Sequence, residues 1–140
     1  MDCDFGIVKL DYIVKILCIP ENLEKGMLLS ILKVLINNKS TFITYTKSDN
    51  ETSLILDSDS LKDFSEEELE LVVIDRYDYR ILQIFEDSTG TDHIGIVAHL
   101  SKIFADNKIP ILYINSYNNN YILYPDIFKS QIDTLIAGMK

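Results

Sequence analysis

The order in which the chain alternates between strand-like and helix-like segments constrains it most. Tyr12–Ile19 is a β-rich run closed by Pro20, and Asn22 is placed to cap a helix to about Asn37, with Leu28, Ile31, Leu32 and Leu35 at helical spacing. Thr41–Thr46 and Thr52–Leu56 read as strands around a Lys47–Asn50 turn. A short helix over 58–64 follows, with a second candidate start at the Ser65–Glu68 capping box, and then a strand at Leu69–Ile74. Residues 12–76 therefore spell β-α-β-β-α-β. Residues 79–138 repeat the order as strand Tyr79–Phe85, helix His93–Asp106, strands Ile109–Tyr117 and Tyr121–Tyr124, and a helix from Pro125 to about Gly138, but stop one strand short. In the last helix Phe128, Ile132, Leu135 and Ile136 share an inward face. An additional run, Phe5–Leu10, precedes Tyr12 across Asp11. We expect it to cross over and complete the second sheet. The expected fold is α+β: two ferredoxin-like βαββαβ domains, antiparallel sheets with helices on one face, over 12–76 and over 79–140 completed by 5–10.

With 140 residues, 47% hydrophobic and 25% charged, the chain has the composition of a folded domain. A formal net charge of -9 opposes nucleic acid and anionic membrane surfaces, and Lys and Arg form no run. No apolar stretch approaches the ~20 residues of a membrane span. Cys3 and Cys18 make no disulfide framework, and the acidic start Met1–Asp4 lacks the basic residues of a signal peptide. A reducing cytoplasmic setting is the expectation.

The loop Glu86–Asp92, Glu-Asp-Ser-Thr-Gly-Thr-Asp, carries the candidate site. Small hydroxyl residues and a glycine before a helix present backbone N–H groups to a small anion. An ordinary βα loop capped by Thr91 or Asp92 has the same composition. Gly95 either clears room for a ligand or allows close helix packing. Asn118-Asn119-Asn120 reads first as a hairpin turn. Tyr113, Tyr117 and Tyr121 form either a binding wall or core pairs. His93 and His99 lie six apart and share no metal-ligand spacing, so neither metal nor cofactor is expected. The acidic run Asp57–Glu70 reads as a solvated face, and Arg76 and Arg80 as local partners of Asp75 and Asp78. No phosphate loop, dinucleotide fingerprint or nucleophile elbow is present, and the chain reads as no enzyme.

Gly90 through Gly95, then Ile109-Pro110-Ile111, then Asn115 to Leu123, with Phe42-Ile-Thr-Tyr45 earlier, resemble the motifs of tandem ACT domains. The subfamily they resemble is that of the cytosolic arginine sensors of the TOR growth pathway and small two-ACT microbial proteins. The likeness is sharp over 88–124 and vague before 40. It implies a non-catalytic sensor that binds an amino acid between ACT units, acts as a homodimer and serves a signalling or enzyme partner. Carried over by residue, the ligand loop is Ser88, Thr89, Gly90, Thr91, His93, Ile94 and Gly95, faced by Ile109, Pro110 and Ile111, with Tyr117 and Asn120 from the turn. Pro110 replaces a small polar residue, and Asn120 replaces the Asp that pairs with a guanidinium in the arginine sensors. A neutral amide cannot form that charged fork, which argues against arginine. A neutral amino acid, or a scaffold that has lost its ligand, fits this pair.

Overall fold

The structure is a computed structural model that describes residues 5–37, 42–86 and 95–139. Its longest element is β1, Phe5–Ile19, a single strand that Asp11 does not interrupt. Two compact units divide within it. One holds Tyr12–Asp78, and the other joins the residues up to Asp11 to those from Tyr79 onward.

In the 12–78 unit, β1 leads through a 3-10 turn, Glu21–Leu23, into α1, Glu24–Ile36. Then come β2 (Ile43–Lys47), β3 (Thr52–Asp57), a 3-10 segment (Ser58–Asp63), α2 (Glu66–Leu71) and β4 (Val73–Ile74). The strands pair antiparallel in the order β2-β3-β1-β4, with Leu17 opposite both Leu54 and Ile74. Leu17, Ile19, Leu54 and Leu56 form the sheet side of a core closed by Met27, Ile31 and Val34 of α1 and by Phe64 and Val72. Burying each such side chain contributes ~1.5–3 kcal/mol.

Two expectations are corrected here. Of Leu28, Ile31, Leu32 and Leu35, only Ile31 is in the core; the inward stripe is Met27, Ile31 and Val34. Residues 27–36 are apolar on nearly every side, so spacing alone does not select the buried face. The strand expected from Leu69 is helical to Leu71, because the capping box holds. The Glu68 N–H donates to Ser65 Oγ at 3.1 Å, and the Ser65 N–H donates to Glu68 Oε1 at 2.9 Å.

The other unit contains β5 (Tyr79–Glu86), α3 (Ile96–Asp106), β6 (Leu112–Asn115), β7 (Asn120–Pro125), a 3-10 turn (Asp126–Phe128) and α4 (Lys129–Gly138). Its strands take the order β1-β5-β7-β6, the same ferredoxin-like arrangement, with the N-terminal strand in the closing position. Phe5 and Ile7 pack on its core, and Lys9 pairs with Asp133 at 3.0 Å. That core joins Leu82, Ile84, Ile122 and Tyr124 of the sheet to Ile96, Leu100 and Phe104 of α3 and Ile132 and Ile136 of α4.

The end of α3 explains why β6 is shorter than the expected Ile109–Tyr117. Lys108 adopts φ 58, its N–H reaches Ala105 O at 2.9 Å, and the Ile109 N–H reaches Phe104 O at 3.0 Å. This is a Schellman stop, and it drives Ile109 into the core beside Phe104 rather than into the sheet.

Candidate functional site

Strand directions decide which predicted site residues meet. β7 is antiparallel to both β5 and β6, so β5 and β6 run parallel. α3 must return between them, with its N-terminus at the C-terminal end of β5 and its C-terminus at the start of β6. Gly95 and Asn120 lie at the first end. Ile109, Pro110 and Ile111 lie at the other, ~16 Å away by the rise of an 11-residue helix. Ser88, Thr89, Gly90, Thr91, His93 and Ile94 fall outside the described residues.

Gly95 is the N-cap of α3, with φ 90 and ψ -1. That left-handed conformation suits glycine and answers why glycine stands here. It also replaces Thr91 or Asp92 as the expected cap. A glycine cap offers no side-chain oxygen to the first-turn N–H groups. The first helical bond runs from the His99 N–H to Gly95 O at 2.9 Å.

Asn120 opens β7 half-buried, opposite Ile84 of β5 and Asn115 of β6. The turn itself is Ser116–Asn119, closed by the Ser116 N–H on Asn119 O at 2.8 Å and tied to β5 by Gln83 Nε2 donating to Asn119 Oδ1 at 2.8 Å. Tyr117 is 92% exposed at its tip and forms no wall. Ile109 is buried, Ile111 half-buried and Pro110 exposed.

The charged residues around Asp75–Arg80 are arranged differently from expectation. Arg80 pairs with Asp126, Asp78 with Lys15, and Arg76 lies over the Tyr77 ring at 4.6 Å. The hydrogen bond to Asp126 lifts the Arg80 guanidinium above its usual value against the opposing effect of burial. Arg80 stands opposite Tyr124 in the sheet, a neighbourhood that appears only once the register is known. Burial pushes the Tyr124 phenol up to about 12. In the 12–78 unit, Leu28, Ile31, Leu32 and Leu35 of α1 with Ile43 and Tyr45 of β2 line an apolar cleft of about 290 Å³. Among the described residues no cluster of His, Cys, Asp and Glu is placed to hold a metal ion, and no helix is long and apolar enough to cross a membrane.

Residues 76–131 match the family model of the ACT domain. The match spans β5 to the start of α4, the segment whose connectivity has just been described. No curated protein sequence matches the chain. Solved structures share the fold at low identity. A Vibrio cholerae protein of unknown function is 9% identical with a TM-score of 0.66, covering 96% of this chain and 88% of its own. The ligand-free regulatory subunit of aspartate kinase from Thermus thermophilus is 11% identical with a TM-score of 0.62, covering 90% and 91%. Aspartate kinase from Clostridium acetobutylicum is 14% identical with a TM-score of 0.66; the likeness spans 94% of this chain and 33% of the kinase.

Proposed function

We propose that the protein is a non-catalytic cytoplasmic regulator built from tandem ACT domains, 12–76 and 79–140 completed by 5–10, which binds a small amino acid between two copies of the second domain in a homodimer. The ACT match over residues 76–131 carries this reading. The likeness to regulatory portions of aspartate kinases supports it through the fold alone.

The strand directions supply the physical reason for a shared site. One copy holds Gly95 and Asn120 at one end of the sheet and Ile109–Ile111 at the other. Among the described residues β6 is the last strand of its sheet, with no further strand on its outer side. Antiparallel pairing of two β6 edges about a two-fold axis sets the start of one beside the end of the other. Ile109–Ile111 of one copy then face the Ser88–Gly95 loop of the second. The ligand carboxylate rests on N–H groups of Thr89–Ile94 and its ammonium on carbonyls near Ile109–Ile111, and binding favours the paired state.

Thermal unfolding against the twenty amino acids tests this. A ligand at a hundred times its Kd adds ~2.7 kcal/mol. A flat response to all twenty at millimolar concentration rejects amino-acid binding, and light scattering at micromolar protein tests the dimer. A second reading, an ACT-fold interaction scaffold without ligand, is favoured by the exposed apolar face of α1. It requires a signalling or enzyme partner retained whatever amino acid is supplied.

A further inference from the structure

At the end of the sheet remote from Gly95, a second cleft of about 280 Å³ opens among Lys9 and Asp11 of β1, Arg80 of β5, Tyr124 of β7, and Lys129 and Asp133 of α4. Tyr124 is 2% exposed, and its ring belongs to the core with Phe104 and Ile132. Its hydroxyl makes no hydrogen bond among the described residues, although Asp133, Arg80 and Asp126 act on it electrostatically. A phenylalanine would fill the same core volume but would offer the cleft no hydroxyl. The polar atom stands where the fold alone does not use it.

The charges on the walls are mixed and nearly balanced. Arg80 is engaged by Asp126, and Lys9 by Asp133 at 3.0 Å, a pair exposed enough to exchange partners cheaply. Lys129 and Asp11 make no ion pair among the described residues, although Asp11 adds to the field at Arg80. A simple anion entering here meets Asp11 and Asp133, and a simple cation meets Lys9, Arg80 and Lys129. A molecule carrying both charges meets a complement for each. The volume, about 280 Å³, lies just below the usual range of small-molecule pockets, ~300–1,000 Å³, and suits a molecule of few heavy atoms.

We propose that this cleft binds a small zwitterion, its anionic group held by the Tyr124 hydroxyl with Arg80 and Lys129, and its ammonium by Asp11 and Asp133. The phenol keeps its proton at neutral pH and so acts as a donor. This site is separate from the one proposed around Ser88–Gly95 and does not depend on it.

The test is titration of the full ¹⁵N-labelled chain with β-alanine, using propionate and propylamine as single-charge controls. Saturable shifts of the Arg80, Tyr124 and Lys129 amides are expected, with each control binding at least about tenfold more weakly. Tyr124→Phe should weaken β-alanine binding about tenfold while leaving the thermal midpoint unchanged, which separates loss of the hydroxyl from loss of the fold. Shifts confined to Gly95 and its neighbours would support the other site and overturn this one. The proposal is equally overturned by propionate binding as tightly as β-alanine, by unchanged affinity in Tyr124→Phe, or by no saturable shift at ~50 mM of β-alanine, glycine or 4-aminobutyrate, a range set by the weakest affinities of interest.

Discussion

Helices α1 and α3 hold the same place in the element order of their units, yet they meet solvent in opposite ways. α3 buries Ile96, Leu100 and Phe104 and turns His99, Lys102 and Asp106 outward, with Lys102 bonded to Asp106 at 2.7 Å. α1 buries Met27, Ile31 and Val34 but leaves Leu29 64%, Leu32 48% and Ile36 76% exposed. The contrast teaches that the apolar content of a helix and its contribution to a core are different quantities. α3 is complete within its unit. α1 carries more apolar surface than its own sheet covers, the character of a face meant to meet something else.

The sharpest way to break the comparison is to truncate the same residue type on both helices. Leu100→Ala should destabilise by ~3–5 kcal/mol, because Leu100 is 0% exposed, whereas Leu32→Ala should cost under ~1 kcal/mol. Urea unfolding of the two variants measures both, and equal losses would erase the distinction. Next in size is Gly95→Ala, which forces a Cβ onto φ 90 and should cost ~1–2 kcal/mol. Among the described residues at the start of α1, none takes a positive φ. Ser65→Ala, which opens the capping box of α2, should cost about 1 kcal/mol.

The same box gives the 12–78 unit a pH dependence. Partial burial alone would raise the Glu68 carboxyl, but the Ser65 N–H, the Ser30 and Ser65 hydroxyls and the charge of Lys33 together hold it below its ordinary value. Ser30 Oγ donates to Glu68 Oε1 at 2.8 Å. Stability from this carboxylate is complete above the unfolded value of ~4.3 and is lost as pH falls through the lower folded value. Glu68→Gln should flatten that acid limb in unfolding curves recorded between about pH 2 and 5. Smallest is Lys108→Gly, expected to stabilise the other unit by up to ~1 kcal/mol by relieving φ 58 at the Schellman stop. A loss of stability there would mean that the Lys108 side chain contributes more than its backbone costs.

Much of the fold was legible from counting elements. The second repeat lacked one strand, and Phe5–Leu10 was the spare; it lies in the sheet beside β5. The α4 face of Ile132 and Ile136 was equally plain, because polar residues separate it from solvent-facing positions. Where polar residues are missing, as on α1, the face was not readable. Leu69–Leu71 looked β-like by composition, and a local hydrogen-bonded cap overruled it. Sequence proximity pairs Arg80 with Asp78, while the sheet brings it to Asp126. The candidate site was half legible. Gly95 stands out in the sequence, but its role as cap depends on a φ that composition does not reveal. That Ile109–Ile111 lie a helix length from Gly95 follows only from strand direction. The place of Tyr124 in the wall of a cleft carries no sequence signal, since aromatic residues in strands are ordinarily core.

β1 serves one unit with its first residues and the other with its last. On the ribosome, Phe5–Asp11 precedes its sheet neighbour β5 by some ~70 residues, a wait of roughly 4–14 s at ~5–20 residues per second. Through that interval the leading ribbon has no lateral neighbour of its own unit, although the sheet of Tyr12–Asp78 can already assemble behind it. Translation speed, and any chaperone that shields Phe5 and Ile7 meanwhile, therefore governs the yield of correctly threaded chains.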